Sequence, residues 1–75
     1  MQIKLIEGYH LTATNKRHIA EMLTKGVMVG GTNAIYYVFS NIEGNIARLT
    51  YFKNETNDYG RKVTRKSHCV VEFTA

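Results

Sequence analysis

The chain reads as a small α+β protein, an antiparallel sheet in β-α-β-β-β order with one amphipathic helix packed on a single face. Apolar residues recur at helical spacing in one stretch, where Ile19, Met22 and Leu23 stand at i, i+3 and i+4. From Lys62 to Phe73 they fall instead on odd positions. Val63, Cys69, Val71 and Phe73 alternate with Lys62, Thr64, Lys66, His68 and Glu72, as in a strand with one wet side. Upstream, two apolar, strand-sized segments flank Ile42-Glu43-Gly44-Asn45, which holds the glycine a tight hairpin needs.

The first strand is expected from Gln2 to Glu7, where Ile3 and Leu5 alternate with Gln2 and Lys4 until Ile6 breaks the pattern. The helix is expected from Thr14 to Lys25. Thr12 or Thr14 can cap it by accepting a backbone N–H, and Gly26 ends it. Arg17 with Glu21, and Glu21 with Lys25, are spaced to pair across one turn of its polar side. Gly30-Gly31 reads as a turn or hinge.

Strands follow from Asn33 to Asn41 and from Ile46 to Lys53. With Glu43-Gly44 as the loop between them, Val38 faces Leu49 and Tyr36 faces Tyr51. That register gathers Tyr36, Val38, Ala47, Leu49 and Tyr51 on one face. Ile35, Tyr37, Phe39, Arg48, Thr50 and Phe52 fall on the other. A polar loop, Asn54 to Gly60, leads into the last strand, whose start carries Arg61, Lys62, Arg65 and Lys66.

With no proline, no repeat and no low-complexity linker, residues 1–75 are expected to form a single domain. A hydrophobic share of 44% with five Tyr and three Phe is ample for a folded core and argues against disorder. So small a core rarely supplies more than about 3–5 kcal/mol, and small proteins often add disulfides, metals or a partner subunit. The single cysteine, Cys69, excludes an intramolecular disulfide and fits a reducing compartment, which keeps a homodimer in consideration. The N-terminal segment has an acid, Glu7, where a signal peptide would be apolar, and no apolar run is long enough to cross a bilayer. A cytoplasmic protein without membrane attachment is expected.

Neither metal nor cofactor is expected. His10 and His18 are too far apart for a zinc spacing, and His68 and Cys69 point to opposite faces of a regular strand, which also weakens a Cys-His nucleophile pair. The glycines at 26, 30 and 31 precede no Gly-Lys-Ser/Thr, so they form no phosphate loop. The acids lie mainly in loops and on the helix surface, and paired-carboxylate catalysis would need two of them to converge. Lys16-Arg17-His18 reads as a polar helix face.

What remains is binding. Ten Lys and Arg against six Asp and Glu leave +4, which favours anionic partners. The expected surface is a basic and aromatic sheet face, with Tyr37, Phe39 and Phe52 as anchors and Arg48, Lys62, Arg65 and Lys66 around them. The function expected from it is that of a stoichiometric regulator or inhibitor, an accessory protein of viral or mobile-element type. Its partner would be a host protein or a nucleoprotein complex. The alternative is direct nucleic-acid binding by the same face, with cations on phosphates and rings under bases.

Overall fold

In the computed structural model, which describes residues 1–75, the elements run β1 (Gln2–Glu7), α1 (Ala13–Lys25), β2 (Val29–Gly31), β3 (Ile35–Glu43), β4 (Ile46–Thr56) and β5 (Lys62–Thr74). They form one antiparallel sheet of order β1-β5-β4-β3-β2 with the helix on one face, an α+β fold. No helix is long and apolar enough to cross a membrane.

The helix starts at Ala13 because Thr12 closes a reciprocal cap. Thr12 Oγ1 accepts the Asn15 backbone N–H (3.1 Å), and Asn15 Oδ1 accepts that of Thr12 (3.0 Å). Its apolar stripe buries Ile19 and Met22 and half-buries Leu23 against the sheet. Beneath it lie Ala47, Leu49, Cys69 and Val71, the odd-numbered residues of β4 and β5, with Ile3, Leu5 and Phe73 packed at the margin. In β1, Ile6 is the bulged residue: Leu5 pairs with Val71 and Glu7 with Val70.

The expected order lacks one strand. Gly30-Gly31, read as a turn or hinge, lies instead in β2, which pairs with β3 in the register Val29 to Val38 and Gly31 to Tyr36. Gly31 allows the tight return between them: its φ is 138°, and a Cβ there would lie 2.5 Å from the Ile35 carbonyl oxygen and 2.6 Å from Tyr36 Cα. Both atoms belong to backbone fixed by the Thr32 N–H to Ile35 O bond (2.7 Å). Gly31→Ala is therefore expected to lower stability by about 2 kcal/mol, read as a lower urea midpoint with unchanged slope.

The β3–β4 pairing corrects the expected register twice. The hairpin loop is Gly44-Asn45, with Gly44 at φ 60° and Asn45 at negative φ, the type II′ preference for glycine at the first central position. That displaces the pairing by two in summed residue number and leaves the faces unchanged. A bulge at Ser40 then adds a shift of one: Asn41 pairs with Arg48 but Phe39 with Leu49, and Ser40 has no partner. The single shift exchanges faces. Ile35, Tyr37 and Phe39 therefore join Ala47, Leu49 and Tyr51 under the helix, while Tyr36 and Val38 join Arg48, Thr50 and Phe52 on the open side.

Tyr37 and Phe39, expected as surface anchors, are core residues, 0% and 5% exposed. Tyr37 needs polar partners for its buried hydroxyl and has them. The oxygen accepts from Asn15 Nδ2 (3.0 Å) and shares a hydrogen bond with His18 Nδ1 (2.9 Å).

Candidate macromolecule-binding face

The face of the sheet away from the helix is uncovered. Strand register sets what stands on it, row by row. Tyr36, Phe52 and Lys66 form one row, and the Tyr36 and Phe52 rings stack at 4.7 Å between centroids with 12° between planes. The next row holds Val38, Thr50 and His68, with Thr50 Oγ1 2.8 Å from His68 Nδ1. After it come Asn41, Arg48, Val70 and Glu7, beside an open cleft of about 350 Å³ between Glu7, Ser40, Arg48, Thr50 and His68.

In the other direction β4 and β5 outrun the sheet. Beyond the Asn54–Thr64 pair no third strand accompanies them, so the hairpin is a two-stranded arm reaching to Asn57-Asp58-Tyr59-Gly60. Asn54 braces its base, donating from its backbone to Ala34 O and from Nδ2 to Asn33 O (both 2.8 Å), and its Oδ1 accepts from Thr64 Oγ1 (2.9 Å). At the tip, Asn57 Oδ1 accepts the backbone N–H groups of Tyr59 and Arg61, and the Tyr59 side chain stands almost wholly in solvent. Thirteen residues of β5 at about 3.3 Å each account for the 43 Å length of the molecule. Residues 53–66 hold five cations and two acids, hence +3 of the chain's +4.

Strand alternation divides the cation cluster. Lys62 and Lys66 are on the open face with Arg48 and Phe52, as expected. Arg65 is not. It points to the helix side, where its Nε lies 2.6 Å from Glu55 Oε2, and Lys53 Nζ approaches Glu55 Oε1 at 3.4 Å. Such exposed pairs add little stability, but they neutralise much of what Arg65 would offer a partner. On the open face, the rows from Thr56–Lys62 to Val38–Thr50–His68 contain no carboxylate.

Four of the seven expected residues, Arg48, Phe52, Lys62 and Lys66, thus share one surface. Tyr36 belongs to it and was missed, because the segment Ala34 to Phe39 is apolar throughout and carries no alternation to fix its phase. No group of three or more His, Cys, Asp and Glu side chains converges as a metal site. Cys69 is buried under the helix, and burial pushes its thiol up to about 11, so near neutral pH it is protonated and a poor nucleophile. Comparison with protein-family models, curated proteins and solved structures finds no match to this chain.

Proposed function

We propose that this is a non-enzymatic cytoplasmic protein that regulates or inhibits a larger host protein or nucleoprotein complex by stoichiometric docking of its open sheet face. The observation that carries the reading is the Tyr36–Phe52 stack, uncovered and flanked by Lys66 in the same row. Paired rings offer a large, rigid apolar contact at low entropic cost, and surrounding cations select an acidic complement. Direct nucleic-acid binding is the second reading, favoured by the absence of carboxylates around those rings and along the arm's open side.

Retention of partners from native extract on the immobilised protein, at low and high salt and with and without nuclease, tests both. The first reading expects a protein that survives nuclease and high salt, and that Tyr36→Ala with Phe52→Ala retains about thirtyfold more weakly. Unchanged retention by that double variant, folded by circular dichroism, rejects the face as the contact surface. Loss of everything on nuclease treatment, with affinity falling steeply as salt rises, replaces the first reading with the second.

A further inference from the structure

The edge of β5 carries the inference that goes furthest, and it rests on the reading of a protein partner. Residues of β5 turn their backbone groups alternately toward β4 and away. The Phe73 N–H donates to Asn45 O (2.9 Å) and the Arg61 carbonyl accepts from Asn57 N–H (2.9 Å), so odd-numbered residues face β4. Pairing with β4 runs unbroken from Lys62 to Glu72, so even-numbered residues face outward along the whole strand. From Val70 to Thr74 that outer edge is covered by β1. The crossing chain closes it at His68, whose carbonyl oxygen lies 2.9 Å from where a Cβ on Gly8 would stand. Lys62, Thr64 and Lys66 remain, with no strand beside their outward N–H and C=O groups.

We propose that this edge takes up an extended acidic segment of the partner as a sixth strand of the five-stranded sheet. Main-chain hydrogen bonds to Lys62, Thr64 and Lys66 hold the segment. Carboxylates at every second position of it reach the Lys62 and Lys66 ammonium groups, both on the open face. Charge decides against a second copy as the occupant. Antiparallel self-pairing about Thr64 would set Lys62 against Lys66 at both ends of the contact, and like charges in register are destabilising. Edge lysines are a known guard against such self-pairing, and the same lysines favour an acidic strand.

The test follows backbone amides of the full chain by NMR during titration with a short synthetic peptide of alternating Glu and Thr. Exchange at Lys62, Thr64 and Lys66 is expected to slow by about tenfold or more, while amides facing β4 barely change. Thr64→Pro removes an outward N–H without touching the β4 ladder and is expected to weaken peptide binding by about tenfold. Thr64→Val, which loses only the hydroxyl bond to Asn54, binds as wild type. The proposal is overturned if exchange at the three amides stays unchanged, if duplex DNA protects them equally, or if Thr64→Pro binds the peptide like wild type. A partner kept by Thr64→Pro but lost by the Tyr36/Phe52 double variant sinks the edge and leaves the face reading standing. The converse pattern sinks the face as the contact surface.

Discussion

Tyr37→Ala is expected to leave the protein largely unfolded at room temperature. The ring is fully buried between helix and sheet, and truncating a buried aromatic costs about 3–5 kcal/mol in lost transfer energy and residual cavity. The hydroxyl adds a second loss. Asn15, itself only 8% exposed, would keep its Nδ2 without the acceptor that Tyr37 supplies, and a stranded buried donor costs about 1–3 kcal/mol. Together these reach or exceed the stability that one small core provides, about 3–5 kcal/mol. Tyr37→Phe separates the two effects: it keeps the packing, strands Asn15, and should lower the urea midpoint by the smaller amount with unchanged slope. A Tyr37→Ala variant with a native far-ultraviolet spectrum and an unmoved midpoint would refute this account of the core. Such an outcome would also reopen Tyr37 as a surface residue.

The fold was legible wherever side chains alternate in polarity. Ile3 and Leu5 set β1, and Ile6, where the pattern breaks, is where the chain bulges. Cys69, Val71 and Phe73 set the phase of β5 against Lys66 and His68, and the helix announced itself through Thr12, Ile19, Met22 and Gly26. β3 gave no such signal. Ile35 to Phe39 can present either side to the core, so their orientation depends on how the hairpin is counted, and one unpaired serine changes the count by one. Ser40 is polar and sits where the apolar run stops, yet nothing distinguishes a bulge there from a strand end. That single residue moved Tyr37 and Phe39 inward and Tyr36 outward.

The candidate site divided along the same line. Lys62, Lys66, Arg48 and Phe52 lie on strands whose phase was readable or became so from β4, and they meet on one surface. Arg65 lies three residues from Lys62, an odd separation, so in a regular strand the two point oppositely. The charge run Arg61 to Lys66 is thus a property of sequence that the pleat splits, and Glu55, opposite Val63, takes up the portion on the helix side. What survives is a narrower feature: an open face whose basic half is free of acids, continuous with a strand edge that nothing covers. Face and edge can serve one partner together, since Lys66 belongs to both.

Between about pH 9 and pH 11 the protein is expected to lose roughly 2–3 kcal/mol of stability through Cys69 alone. In the unfolded chain the thiol releases its proton near 9.0, whereas in the folded protein burial holds it until about 11. Below that window both states are protonated and the contribution is complete. Within it, unfolding releases a proton, so each rise in pH favours the unfolded chain, and above it the loss is finished. Tyr37 extends the fall to higher pH, because burial raises its hydroxyl above 10.0 despite the opposing bond from Asn15. Cys69→Ala should cost a modest, constant amount near neutrality and abolish the slope between pH 9 and 10, leaving only what Tyr37 contributes above. Urea midpoints taken at half-unit steps across the range make the comparison. Parallel curves for wild type and Cys69→Ala would mean that the thiol ionises as freely in the folded protein as in water, which its place between Leu49 and the Gly8 crossing does not allow.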